Sequence, residues 1–205
     1  MTATTDQTDA KRHNTVIAVD AMGGDNGPSA IVAGCAAFAK RRKDVDIILH
    51  GPQATLEALV LRRKKLNGRV TIRDAAEVVS MKDKPSQVAR HGKKTSMWAT
   101  VETVRSGDAS VAVSCGNTGA LMAVSMIRLR KLPGVNRPAI AVLWPSSNAQ
   151  GFNVMLDVGA DIRADAPDLL KYALMGASYA RNGFGLVRPR IGLLNVGTEE
   201  HKGRL

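Results

Sequence analysis

The chain has 205 residues, a formal net charge of +11 and two cysteines. A chain of this length buries roughly 70% of its unfolded surface, so one domain needs no disulfide bonds. The cysteines lack the paired spacing of a zinc site or redox motif, and no run approaches the roughly 18 apolar residues of a membrane-spanning helix. The sequence therefore predicts a soluble or membrane-peripheral cytoplasmic protein, with a disordered tail over residues 1–14.

The excess of positive charge indicates an anionic partner. Two Trp, two Tyr and three Phe are too few for a platform on which single-stranded nucleic acid stacks. An acidic protein, an anionic membrane surface or a phosphorylated substrate remains as the partner. The alternative is that the basic runs at 41–43 and 62–65 are solvated helix ends.

Short β-branched runs alternate with longer segments of helical period, a pattern typical of a parallel sheet with helices on its faces. Strands are predicted at 15–20, 46–50, 69–73, 109–114, 139–143 and 190–195, with a seventh at 153–157. Helices are predicted at 29–42, 54–66, 95–106, 118–130 and 166–181. The polar segment 75–94 predicts a turn and a short helix over the strand ends. Nothing marks an internal boundary, so 15–205 is expected to be a single α/β domain, incomplete at its C-terminus.

Ligands of open α/β sheets bind beyond the C-terminal ends of the strands, and the first such segment is DAMGGDNGPS at 20–29. Gly23 and Gly24 permit positive φ and a close backbone approach, so their N–H groups are predicted to bind phosphate at a helix N-terminus. The segment is neither a dinucleotide fingerprint nor a P-loop. The alternative is a tight turn with Asp25 or Asn26 as the helix cap.

The second segment is SCGNTGA at 114–120. Gly116, Asn117 and Thr118 offer backbone and side-chain donors that suit a phosphate or an oxyanion. A turn followed by a helix cap is equally open. Cys115 is expected to pack against the turn rather than act as a nucleophile, because no histidine lies near it in sequence.

Two later segments also follow predicted strands. LDVGAD at 156–161 places two carboxylates four residues apart, but capping is favoured and no metal site is predicted. NVGTEEHKG at 195–203 concentrates polar groups in one loop, which favours function. Gly197 and Thr198 are predicted phosphate ligands there, and Lys202 is the predicted catalytic cation.

Seven segments, in this order, resemble the acyl-ACP:phosphate acyltransferase family. They are VDAMGGDNGPS at 19–29, KPSQVAR at 84–90 with SM at 96–97, SCGNTGALM at 114–122, NRPAIA at 136–141, LDVGAD at 156–161, ALMGASYA at 173–180 and PRIGLLNVGTEEHKG at 189–203. Two departures from the family pattern are Cys115, where a small residue such as Ala is common, and the ADIR sequence at 160–163 in place of Ala-Asn-Val-Asp.

The resemblance implies a three-layer α/β/α sandwich with a mostly parallel sheet, related to isocitrate and isopropylmalate dehydrogenases and to phosphotransacetylase. It implies an enzyme of phospholipid synthesis that moves a fatty acyl group from acyl carrier protein to inorganic phosphate and uses no cofactor. It also implies a homodimer with peripheral membrane association near the next acyltransferase, and no nucleic-acid partner. Family members continue beyond residue 205, so the chain is expected to be truncated, with activity that depends on the remainder.

In the mechanism that follows as a hypothesis, the loops at Gly23, Gly24, Gly116 and Asn117 hold phosphate while Lys202 offsets developing negative charge. Asp25 has three open roles, which are accepting a proton from phosphate, orienting Lys202 or holding the loop. Two other interpretations remain, namely an NAD-dependent dehydrogenase of the related fold and a non-catalytic module that binds anions.

Overall fold

A computed structural model describes residues 15–135, 138–157 and 164–194. Its contacts divide the chain into two compact units, Met1–Arg130 and Lys131–Leu205. In the described residues, no helix is both long and apolar enough to span a membrane. The expectation of a single domain over 15–205 stays a prediction.

The first unit is built on four parallel strands in the spatial order β3-β2-β1-β4. They are β1 (Thr15–Asp20), β2 (Val45–Gly51), β3 (Val70–Asp74) and β4 (Val111–Val113). The central strands are rich in Val and Ile and are covered on both faces, as parallel strands usually are. Ala18 of β1 and Leu49 of β2 are both fully buried.

The described part of the first unit also contains five helices. They are α1 (Gly27–Arg41), α2 (Gln53–Leu61), α3 (Pro85–His91), α4 (Ser96–Arg105) and α5 (Thr118–Arg128), with 3-10 turns at Lys64–Leu66 and Gly92–Lys94. On one face, Val32 of α1 and Leu56 of α2 pack with Leu49 in one core cluster. A second cluster joins Met97 and Val101 of α4 to Val124 of α5. Because side chains alternate along a strand, the two clusters lie on opposite faces of the sheet.

The second unit contains an antiparallel pair, β5 (Ala141–Pro145) and β6 (Phe152–Leu156), followed by α6 (Ala166–Phe184). The Asp165 side chain caps α6 by accepting a hydrogen bond from the Asp168 N–H at 2.9 Å. The helix ends at Gly185 with φ 68°, the left-handed conformation that glycine adopts at low cost. This capping pattern explains why both ends of α6 lie close to the predicted range.

Most predicted elements are present with shifted ends. The predicted helix at 54–66 stops at Leu61 and resumes as a 3-10 turn, and the predicted strand at 109–114 shortens to Val111–Val113. The strand predicted at 190–195 is wrong for the described residues 190–194, which are not in a strand. Ile191 and Leu193 are 62% and 75% exposed there, and no described strand pairs with them to form a ladder.

Candidate active site

The two glycine-rich loops lie side by side at the C-terminal edge of the sheet. β1 leads into residues 21–26 and then α1, while β4 leads into residues 114–117 and then α5. Since β1 and β4 are adjacent and parallel, both loops emerge at the same edge. From β1 the chain adds β2 and β3 on one side of β1, and it then adds β4 on the other side. The two loops therefore flank the point where the strand order reverses. Ligands of open α/β sheets bind at such a switch point.

The loops approach each other too closely for any side chain at Gly23. A Cβ atom there would lie 2.8 Å from the Gly116 N atom and 2.8 Å from Ser114 Oγ. Gly24 has φ +99°, and its Cβ would lie 3.1 Å from the Cβ of Cys115. Both glycines are therefore required by geometry, one for close approach and one for its backbone conformation.

A buried carboxylate beneath the loops was missed by sequence reasoning. Asp20, the last residue of β1, is 2% exposed. Its Oδ1 accepts a hydrogen bond from Ser96 Oγ at 2.6 Å, and its Oδ2 accepts one from Ser114 Oγ at 2.7 Å. Ser114 Oγ in turn accepts the Gly116 N–H at 3.1 Å. Asp20 therefore connects the ends of β1 and β4 to the first residue of α4.

Asn117 is the N-cap of α5, and both ends of its amide are occupied. Oδ1 accepts the Ala120 N–H at 3.0 Å, while Nδ2 donates to the carbonyl oxygens of Ser80, Met81 and Asp83 at 3.3, 3.3 and 3.0 Å. The side chain is 9% exposed. It holds the loop before α3 against the second glycine loop. These contacts fit the alternative in which Asn117 caps a helix rather than binding phosphate.

The N-terminus of α1 differs from that of α5. No side-chain hydrogen bond caps α1 at Asn26, and no acidic residue lies in its first turn. The first N–H groups of a helix lack intrahelical partners and attract anions. Asp25 and Thr118 are exposed beside the two loops. Of the two helix starts, α1 is therefore the one better suited to an anion.

Two buried titratable groups packed at the sheet, His50 and Cys35, have shifted pKa values. Burial, followed by the charge of Arg73, lowers the pKa of His50 to about 4. Its Nε2 lies 2.9 Å from Thr103 Oγ1, and its Nδ1 has no hydrogen-bond partner among the described residues. Burial raises the pKa of the Cys35 thiol to about 11, whereas Cys115 is exposed. Among the described residues, neither the His50 side chain nor the Cys35 side chain forms a hydrogen bond with the glycine loops, although the His50 carbonyl oxygen accepts the Ala21 N–H at 3.0 Å.

The remaining predicted site residues lie elsewhere or outside the described residues. Gly197, Thr198 and Lys202, together with Asp161, are outside them. Asp157 belongs to the second unit and has φ 59°. Among the described residues, no three His, Cys, Asp or Glu side chains are grouped as metal ligands.

Two concave regions of the first unit are separate from these loops. One of about 250 Å³ includes His50, Arg73 and Thr103, and another of about 500 Å³ lies between α1 and residues 62–65. An anion held by backbone N–H groups needs little enclosed volume, so the glycine loops need not form a deep cavity. We therefore place the candidate site at the switch point on chemical grounds.

Comparison with known proteins gives consistent matches. Residues 15–205 match the family model described as fatty acid synthesis protein. A protein named Phosphate acyltransferase from Roseobacter denitrificans is 71% identical over 204 residues, which cover 100% of this chain and 57% of that protein. Another of the same name from Paracoccus denitrificans is 74% identical over 189 residues, covering 92% of this chain and 51% of that protein. The chain thus spans about half the length of these curated relatives.

A solved structure shares the fold. The EutD phosphotransacetylase from Staphylococcus aureus matches with a TM-score of 0.53 at 16% sequence identity, over 82% of this chain and 53% of that chain. The match supports an α/β fold with a parallel sheet and flanking helices.

Proposed function

This chain belongs to the fatty acid synthesis protein family, and from that membership we propose that the full-length protein transfers a fatty acyl group from acyl carrier protein to inorganic phosphate. The observation that carries the proposal is the pair of glycine loops in contact at the switch point of the sheet. The relatives named Phosphate acyltransferase support the same reaction class.

The chemistry requires placing phosphate rather than activating it. At neutral pH phosphate is already an oxyanion, and one of its oxygens attacks the thioester carbonyl carbon. The tetrahedral intermediate then collapses, breaking the C–S bond to release acyl phosphate and the thiolate of the carrier. Fixed donors aimed at the developing negative charge contribute about 3 to 4 kcal/mol each in such reactions.

The N–H groups of Gly23 and Gly24, with the uncapped start of α1, are the proposed phosphate donors of the first loop. In the second loop, the Gly116 N–H is already bonded to Ser114, so Thr118 is the proposed ligand there. Asn117 acts by holding the loop in place, because its own amide is fully engaged. Gly116 contributes through the absence of a side chain, which allows Gly23 to approach.

Lys202, Gly197 and Thr198 complete the proposed site from outside the described residues. The Lys202 ammonium group would offset the charge on the tetrahedral oxygen or on the departing thiolate. Asp25 keeps its three proposed roles, which are proton acceptor, orienting partner of Lys202 and loop support. In the full-length protein, Lys202→Ala should lower kcat with little loss of folding, and near-wild-type turnover would remove Lys202 from the mechanism.

We extend the proposal to the assembly. The family resemblance supports an α/β/α architecture related to isocitrate and isopropylmalate dehydrogenases. It also supports a cytoplasmic homodimer with peripheral membrane association. The net charge of +11 supports an acidic carrier protein as the acyl donor.

The test is acyl phosphate formation by the purified full-length protein. Acyl carrier protein bearing a fatty acyl group is mixed with ³²P-labelled phosphate, and labelled acyl phosphate is quantified with and without enzyme. We expect labelled product and release of one carrier thiol for each acyl phosphate. Hydride transfer to NAD without labelled product would favour the dehydrogenase alternative and reject the proposal.

A further inference from the structure

We propose that Asp20 is a positioning residue of the phosphate site, which fixes the two glycine loops relative to each other through Ser114, while Ser96 holds its carboxylate in place. This inference rests on the proposed function, because it assigns a role in phosphate binding. Asp20 does not contact the anion itself. Its effect reaches the site through the loops that it holds.

The surroundings of Asp20 are unusual for a buried charge. Its side chain is 2% exposed, and none of the ion pairs found among the described residues includes it. Its partners are instead two hydroxyl groups and the backbone N–H of Met22, at 2.6, 2.7 and 3.2 Å. A buried carboxylate costs free energy unless hydrogen bonds compensate for the lost water. An apolar side chain would fill the same space without that cost, so the directional bonds themselves are the reason for an aspartate here.

The carboxylate also fixes the direction of each hydrogen bond. An ionised carboxylate only accepts, so both serine hydroxyl protons point towards Asp20. The Ser114 oxygen is then left to accept the Gly116 N–H at 3.1 Å. The orientation of the Cys115–Gly116 peptide group therefore depends on a charge at the end of the neighbouring strand.

Gly23 rests directly on this network. The three atoms nearest to a Cβ built at Gly23 are Asp20 Oδ2, Ser114 Oγ and Gly116 N, each at 2.8 Å. A shift of Ser114 or Gly116 by a few tenths of an ångström would change the contact on which the first loop rests. Both loops that carry the proposed phosphate donors thus share one support.

The experiment compares Asp20→Asn and Ser114→Ala with the wild type in the full-length protein, by steady-state kinetics with each substrate varied in turn. Asp20→Asn preserves shape but places an NH₂ group against a hydroxyl, and Ser114→Ala removes the link to Gly116. We expect each variant to raise the KM for phosphate at least tenfold, with the KM for the acyl carrier substrate within twofold of wild type. A loss of folded protein would lower kcat without this selective change in KM.

Asp74→Asn is the matched control. Asp74 is the last residue of β3, as Asp20 is the last residue of β1. The Asp74 Oδ1 atom accepts the Gln53 N–H at 2.9 Å, and β3 lies two strands away from β1 and its loop. We expect its kinetic constants to match the wild type. The double variant Asp20→Asn/Ser114→Ala should raise the phosphate KM no further than the single variants, because both remove the same support.

An unchanged phosphate KM in either single variant would overturn the inference, as would fully multiplicative effects in the double variant. If Asp20→Asn does not fold, Ser114→Ala and its phosphate KM decide the question. Phosphate affinity is also measured by isothermal titration calorimetry, which does not depend on turnover. A wild-type protein that binds phosphate but makes no acyl phosphate would refute the proposed reaction, while a tenfold weaker affinity in the variants would still support the role of Asp20.

Discussion

Gly23 occupies a position where even a methyl group has no room. The atoms that crowd it include the backbone nitrogen of Gly116, which cannot move aside as a flexible side chain can. In the full-length protein, Gly23→Ala is expected to lower kcat/KM for phosphate about 100-fold, because misplacement of a binding group by about 1 Å has effects of that size. The measurement is the rate of acyl phosphate formation over a range of phosphate concentrations.

Gly34→Ala provides the control for that substitution. Gly34 lies within α1, and a Cβ there would meet nothing within 4 Å. Alanine in a helix interior is favoured over glycine by up to about 1 kcal/mol, so the variant should keep wild-type activity and equal or higher stability. A comparable loss of activity in both variants would show that the effect at Gly23 is not steric.

His50 makes stability depend on pH. Its pKa is about 4 in the folded chain against 6.5 ordinarily, so the unfolded chain binds the proton more tightly. The contribution of neutral His50 to the free energy of unfolding is complete above pH 6.5, and it is lost as the pH falls from 6.5 towards 4. A shift of this size corresponds to about 3 kcal/mol, and His50→Gln should flatten the profile over this window. The free energy of unfolding of both proteins is measured by denaturant unfolding from pH 4 to 7. The same pH dependence in wild type and variant would contradict the role given to His50.

The sequence predicts the glycines of the proposed site but not the hydrogen bonds that hold them in place. Gly23, Gly24 and Gly116 follow predicted strands, so their place at the sheet edge was foreseeable. From the sequence, Asp20 is predicted only as the last residue of a strand and the first of a glycine-rich segment, since its partners Ser96 and Ser114 lie 76 and 94 residues away. Such a network exists only after the sheet brings distant residues together.

At the level of elements, the start of α5 joins two functions in one side chain. Asn117 caps the helix and also binds three carbonyl groups of the loop before α3. Asn117→Ala should lower the free energy of unfolding by about 1 to 3 kcal/mol, since it removes a cap and leaves carbonyl groups unpaired. Chemical denaturation of the full-length protein measures the change.

Asn117→Asp separates the two functions. The aspartate keeps the oxygen that caps α5 but loses the NH₂ donor and places a charge near three carbonyl oxygens. We expect it to be at least as destabilising as Asn117→Ala. Stability equal to the wild type would show that the cap alone matters.

Element prediction succeeded where local pattern and burial agree. β1 was predicted over its observed range because its β-branched run is bounded by polar and glycine residues. The predicted helix at 54–66 was too long, because Arg62 and Arg63 separate α2 from the 3-10 turn that buries Leu66. Periodicity does not distinguish an α-helix from a short 3-10 continuation of it.

β5 and β6 pair with each other antiparallel, a choice of partner that strand propensity alone does not determine.

For the whole molecule, charge is the dominant sequence feature. The groove beside α1 is bordered by Arg62, Arg63, Lys64 and Lys65, and none of these four side chains forms an ion pair within the described structure. Increasing ionic strength screens such exposed charges. In the full-length protein, raising salt from about 50 to 300 mM should therefore increase the KM for the proposed acyl carrier substrate several-fold.

Acyl-pantetheine is the control for this prediction, since it carries the thioester without the acidic protein. Its KM should change little over the same salt range. Equal salt effects on both donors would show that the acidic protein surface is not what the enzyme recognises.

Cys115 in the second glycine loop is an exposed thiol next to the first glycine loop. The Cβ and backbone of Cys115 lie beside Gly24, whereas Cys35 is buried and its raised pKa keeps it protonated at neutral pH. A thiol-directed electrophile should therefore modify Cys115 first, as peptide mass mapping would reveal, and bound phosphate should slow the reaction. An inhibitor that pairs an anionic group with a mild electrophile would gain selectivity for this chain over proteins that carry alanine at the same position.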